Sequence, residues 1–117
     1  MELFDSAQLA LGAVMRGSSI RQQALADNLA NVDTPGYVRK DVDFHDALRN
    51  AMDGGNDPSS LAFTPEAVRS APVRVDGNSV DVDTETSDMS QNALEYDALA
   101  RVSATRIDIL KSAMGLG

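Results

Sequence analysis

Apolar residues return every seven positions at the start of the chain: Phe4, Leu11, Leu25 and Val32, with Ser18 in the same register. Ala7, Val14, Met15 and Leu29 fill the turns between them, giving the stripe of a coiled-coil-like helix. The spacing predicts one long helix over residues 1–33, about 45 Å if unbroken. Gly17-Ser18-Ser19 marks a soft point, because each glycine costs a helix up to about 1 kcal/mol. Residues 34–52 hold a turn, an extended segment to Phe44, and a short amphipathic helix. Phe44, Ala47, Leu48, Ala51 and Met52 form that helix's stripe, and Gly54-Gly55 stop it. Residues 53–72 contain Pro58, Pro65 and Pro72 and no sustained period, the pattern of an exposed, mobile insert. Val73-Arg74-Val75 and Val80-Asp81-Val82 alternate around Asp76-Gly77-Asn78-Ser79, which predicts a small β-hairpin over 73–82.

Helical spacing then resumes over residues 83–115. Met89, Ala93, Tyr96, Ala100, Ser103, Ile107, Leu110 and Met114 alternate steps of four and three, and Leu99, Val102 and Ile109 widen the stripe. Asp83, Glu85 and Asp88 near its start and Lys111 near its end complement the helix dipole. The expected fold is mainly α and a single domain, 1–117. Long N- and C-terminal helices pack as a coiled-coil-like helical hairpin, with the short helix, the extended segment and the β-hairpin between them.

The stop of the first helix is the most information-rich stretch. Asn28, Asn31 and Asp33 offer short polar side chains to the helix's unpaired terminal backbone groups. Pro35 forces Thr34 out of the α region. Pro35-Gly36 fits the two central positions of a type II turn, with glycine supplying the positive φ, and Tyr37 begins a new direction.

Composition narrows the class. The hydrophobic fraction of 43% includes only three Phe, two Tyr and no Trp, too few large side chains to fill a deep freestanding core. A net charge of −8 argues against nucleic acid and against direct binding to anionic lipid. There is no cysteine, so disulfides and thiolate metal sites are excluded. Met1-Glu2-Leu3-Phe4-Asp5 carries acids where a secretory leader would be basic, so any export is expected without a cleavable signal peptide.

The densest polar cluster, Asp41-Val42-Asp43-Phe44-His45-Asp46, has the wrong residues for a calcium loop. Its sixth position is Asp46 rather than glycine, and its twelfth is Met52 rather than glutamate. The single histidine, His45, is too few for a hydrolytic metal site. These acids, like Asp81, Asp83 and Glu85, read as helix caps. No catalytic, cofactor or metal site is expected.

The string Ala24-Leu25-Ala26-Asp27-Asn28-Leu29-Ala30-Asn31-Val32-Asp33-Thr34-Pro35-Gly36-Tyr37 closely resembles the signature of the bacterial flagellar axial proteins, departing from it at Asp27, where that signature has Asn or Ser. The likeness continues through Tyr37–Phe44, through Asp76-Gly77-Asn78-Ser79-Val80-Asp81-Val82-Asp83-Thr84-Glu85, through Asn92–Tyr96, and through Leu110-Lys111-Ser112-Ala113-Met114-Gly115. Together these resemble the proximal rod proteins of the basal body, the FlgB family, with the sister FlgC family as the alternative. A freestanding helical adaptor or export chaperone is the rival class.

The resemblance implies a structural subunit exported by the flagellar type III apparatus. It would assemble with copies of itself, with other rod proteins, and with the rod-base adaptor and MS ring. The product is a periplasmic helical shaft that carries torque from the membrane ring to the hook. The faces expected to meet neighbours carry Phe4, Leu11, Val14, Met15, Leu25 and Leu29 on the first helix. On the last they carry Met89, Ala93, Tyr96, Leu99, Ala100, Ser103, Ile107 and Leu110. The free monomer is expected to have largely disordered ends that assembly orders.

Overall fold

The computed structural model describes residues 6–115. Three helices dominate it: α1 (Ser6–Ala30), α2 (Phe44–Asp53) and α3 (Val82–Ala113). Between them lie strands β1 (Lys40–Asp41) and β2 (Glu66–Ala67) and a short 3₁₀ turn, Pro58–Ser60. The two long helices run antiparallel. Gln8 meets Ser103, Ser18 meets Asn92 and Asn28 meets Glu85. The radius of gyration is 17.6 Å, against about 13 Å for a compact chain of this length. The molecule is a thin, elongated hairpin, 62 × 30 × 14 Å.

Its apolar core is small and lies to one side of α1. Ala24, Val42 and Phe44 are buried together, with Val14, Ile20 and Phe63 packed against them. Gly17 is the seat for Phe44: a Cβ there would lie 2.5 Å from the Phe44 Cβ. The expected soft point at Gly17 is therefore a packing site inside an unbroken helix.

Residues 53–72, expected as an exposed, mobile insert, dock along α1. Pro58 is buried, Phe63 meets Phe44 edge-on at 6.5 Å, and Arg16 donates to the carbonyls of Pro58, Ser59 and Leu61. The prolines interrupt periodicity, but the apolar residues beside them still find the core.

The two-stranded antiparallel sheet forms in a different place from the expected hairpin. Lys40 pairs with Ala67 and Asp41 with Glu66. Residues 74–78 form a tight loop, closed by Arg74 N–H to Asn78 O and Gly77 N–H to Arg74 O, each 2.9 Å. No ladder extends from it because the backbone after the loop bonds elsewhere, with Ser79 N–H donating to Tyr37 O at 3.0 Å.

Candidate functional site

The end of α1 is built as the sequence suggests. Tyr37 N–H donates to Thr34 O at 3.2 Å, and Gly36 has φ 76°, so Thr34–Tyr37 is a type II turn. Asn31 donates its side-chain amide to Asp27 O at 2.8 Å and accepts from the Thr34 hydroxyl at 3.1 Å. Asp33 is exposed.

Asn28 is fully buried and saturated. It donates to Lys40 O (2.7 Å) and Glu85 Oε2 (3.1 Å), and it accepts from Lys40 N–H (2.9 Å) and the Tyr37 hydroxyl (3.3 Å). One amide thus ties α1, the extended segment and α3 together.

A second turn locks the first. Asn78, also fully buried, donates to the carbonyls of Asn31 (2.9 Å), Val32 (3.1 Å) and Thr34 (2.7 Å), and its oxygen accepts from Val80 N–H at 2.7 Å. Arg74 adds donors to Val80 O and Val32 O. Gly36 N–H reaches Asp76 O at 2.9 Å, and a Cβ on Gly77 would stand 3.2 Å from the Gly36 Cα. Helix-end carbonyls need such donors when buried; here they come from a loop more than forty residues downstream.

Beneath these turns lies a charge cluster. Glu85, fully buried, accepts from Arg39 Nε at 2.6 Å and Nη2 at 3.3 Å. Its carboxylate, bonded to the guanidinium, is the largest influence holding Arg39 further toward the protonated form, against the effect of burial. Asp41 does the same for Arg21, across a 2.8 Å contact. Asp88 lies 3.8 Å from Arg21 and 3.7 Å from Arg39. Tyr37 is pushed above its ordinary pKa, first by burial and then by the negative charges of Asp27 and Glu85.

The remaining acids of the Asp41–Asp46 cluster are occupied as caps and pairs. Asp43 caps α2 by accepting from Asp46 N–H, and Asp46 pairs with Arg49 at 2.8 Å. His45 meets Glu95 of α3 at 2.9 Å.

Polar contacts recur along the α1–α3 seam. Asn92 is buried, donating to Ser18 O and Gln22 Oε1 at 2.8 Å each and accepting from the Ser18 hydroxyl at 3.2 Å. Farther along, Gln8 donates to Ser103 Oγ and accepts from Arg106 Nε, each 3.1 Å. Among the described residues, no buried side-chain nitrogen or oxygen lacks a partner.

Against this, the expected interface residues divide. Leu25 is fully buried within the chain, so it serves internal packing and is not open to neighbours; Val14 packs with the Phe44 cluster. Leu11, Met15, Leu29, Met89, Leu99, Ala100, Ser103 and Leu110 are half-buried, while Ala93, Tyr96 and Ile107 are exposed. Phe4 lies outside the described residues. On α3 the barest apolar side chains lie at the margin of the stripe or outside it. Leu94 is 73% exposed, Ile109 62% and Val102 49%; helical spacing puts Leu94 roughly opposite the seam residues Glu85, Asn92 and Ser103, and Val102 and Ile109 about a quarter turn to one side of them. Leu94 was outside the stripe; its step of eight to Val102 was the available signal.

Sequence reasoning named Asn28 but missed Arg39, Asn78, Ser18 and Asn92 as structural keys. One signal was present: Glu85, Asn92 and Arg106 share one heptad register, which the apolar Leu99 also occupies.

These features coincide with a known protein class. Residues 10–37, from α1 through the turn, match the family model "Flagella basal body rod protein". The chain is 35% identical to flagellar basal body rod protein FlgB of Escherichia coli over 95 residues, 65% of this chain and 69% of that one. Its identity to the Salmonella typhimurium protein of the same name is 36% over the same shares. With the Bacillus subtilis protein it is 27% over 97% of both chains. The chain belongs to the flagellar basal body rod protein FlgB family and is a structural subunit of the flagellar basal body rod.

Proposed function

We propose that this subunit works by presenting α3 and the outer side of α1 to copies of itself and to other rod proteins, which complete its apolar packing. The observation that carries this reading is the exposed apolar surface on two sides of α3. Leu94, Val102 and Ile109 stand on one side and Tyr96, Ile107 and Met114 on another, all exposed. A helix apolar on several sides is stable when buried on several sides, and this chain leaves those side chains exposed. Its neighbours at the base of the shaft are the rod-base adaptor and the MS ring. The flagellar type III apparatus delivers it without a cleavable signal peptide, and the assembled helical rod carries torque from the membrane ring to the hook. The role is mechanical, with no catalysis and no cofactor.

Leu94→Asp with Ile109→Asp tests the reading. Both side chains face outward, so the monomer's stability should stay within about 0.5 kcal/mol of the parent, while motility and rod assembly are lost. Normal motility would reject it. A freestanding adaptor would instead remain a closed monomer or dimer at any concentration, which sedimentation velocity distinguishes from open-ended association.

A further inference from the structure

A cleft of about 610 Å³ opens beside α1, between the start of α2 and the segment that leads into β2. Its floor is apolar: Val42 and Phe44 are buried, and Phe63 meets the Phe44 ring edge-on. The charges that line it are unevenly matched. Arg21 and Asp41 offset one another across 2.8 Å, and His45 is turned to Glu95 at 2.9 Å. Asp43 gives one carboxylate oxygen to cap α2, and the exposed Glu66 makes no side-chain hydrogen bond or ion pair. Two carboxylates thus stand over an aromatic floor without a cation of their own. That is a socket for a basic side chain, with its methylenes on the ring and its charge between the acids.

Among the described residues, three bases make no side-chain hydrogen bond or ion pair within the chain: Lys40, Arg69 and Lys111. Lys40 lies on β1, and Arg69 follows β2, so both belong to the sheet beside the cleft. Lys111 stands near the end of α3. Helical spacing makes it the one charged residue on the side of α3 that carries Ala93, Tyr96, Ala100, Ile107 and Met114. An apolar side with a single positive charge complements an apolar cleft with negative ones. A chain cannot fill its own cleft. Phe44 rests on Gly17, and the adjacent Ser18 bonds Asn92, so the cleft is level with Asn92; Lys111 lies about 28 Å farther along α3.

We infer that the cleft receives Lys111 of a second copy, with Ile107 and Met114 beside it, against Phe63 and the carboxylates of Asp43 and Glu66. Socket and occupant lie on different parts of the chain, so the contact is heterologous and leaves one of each free at the ends of any series of copies. The inference rests on the assembly reading above and deepens it by naming where one exposed side of α3 goes.

Exchange of the two charges tests it. Lys111→Glu and Glu66→Lys should each abolish rod assembly and motility, and the chain carrying both should recover them. Neither side chain is bonded within the chain, so the urea midpoint of each variant should match the parent's. Lys111→Glu with Asp53→Lys restores the net charge on the exposed end of α2, away from the socket, and should stay non-motile. Normal motility in either single variant would overturn the inference, as would failure of the charge exchange to restore it or recovery through Asp53→Lys. Recovery of Glu66→Lys only by a base-to-acid change in another rod protein would give the socket to that partner and overturn the assignment to a second copy. If Leu94→Asp/Ile109→Asp abolishes motility but the charge exchange restores nothing, the assembly reading stands and the socket fails. If the exchange restores motility and the Leu94→Asp/Ile109→Asp chain is motile, the socket stands and the role of that other side of α3 fails.

Discussion

The two ends of the helical hairpin are finished to different degrees. At the junction end, residues 28–42 and 74–85 interlock so that the buried side chains of Asn28, Asn78 and Glu85 all have partners within the chain. At the distal end, α3 runs on beyond Asn92 with polar contacts to Gln8 along one edge and apolar side chains standing in solvent on the others. One end is complete by itself, and the other is a surface prepared for something else. The contrast shows where folding and assembly divide: the junction sets the geometry, and the distal helix supplies the contact area.

The sharpest way to break the junction is to remove Glu85. Glu85→Ala leaves Arg39 buried without its partner and should cost about 3–5 kcal/mol in urea unfolding. A loss under 1 kcal/mol would mean the cluster is not the fold's anchor. Asn78→Ala comes next. It takes the donor from three carbonyls at once, and a loss of about 2–3 kcal/mol is expected, less whatever water recovers. Hydrogen exchange on that variant should show the end of α1 opening together with residues 36–39, since the two turns share their bonds.

A pair of glycine changes sharpens the contrast within α1. Gly12→Ala meets nothing within 4 Å and should stabilise by about 1 kcal/mol through helix propensity. Gly17→Ala drives a methyl into Phe44 and should destabilise by about 1–2 kcal/mol despite the same propensity gain. Equal effects at the two sites would remove the case for a seated Phe44.

The smallest expected effect is at high pH. Tyr37 has a raised pKa in the folded chain, so its stabilising contribution is full below the unfolded value of about 10 and is lost as pH rises through the folded value. The phenolate also cannot donate to Asn28. Denaturation at pH 9 and pH 11 should therefore show a steeper decline for the parent than for Tyr37→Phe.

Much of this was legible beforehand for local reasons. The heptads of α1 and the four-and-three steps of α3 are properties of neighbouring turns, as is the type II turn at Pro35-Gly36, whose φ requirement only glycine meets without strain. Other residues were misread because their partners are remote in the chain. Asn78 looked like a hairpin turn residue, but its three acceptors lie 44–47 positions away. Glu85 looked like a dipole acid at a helix start, and its partner Arg39 is 46 positions back. Val73-x-Val75 alternated as a strand does, yet alternation cannot create the neighbour that a ladder needs.

By itself, the sequence determined the helices, their stop signals and the scarcity of large core residues, because each is fixed by spacing and by local backbone sterics. Only the tertiary structure decided which side of α3 faces inward. Apolar positions lie around most of that helix, so hydrophobicity along the chain does not single out one face, and the buried hydrogen bonds of Asn92 and Glu85 join groups that meet only after the chain has folded.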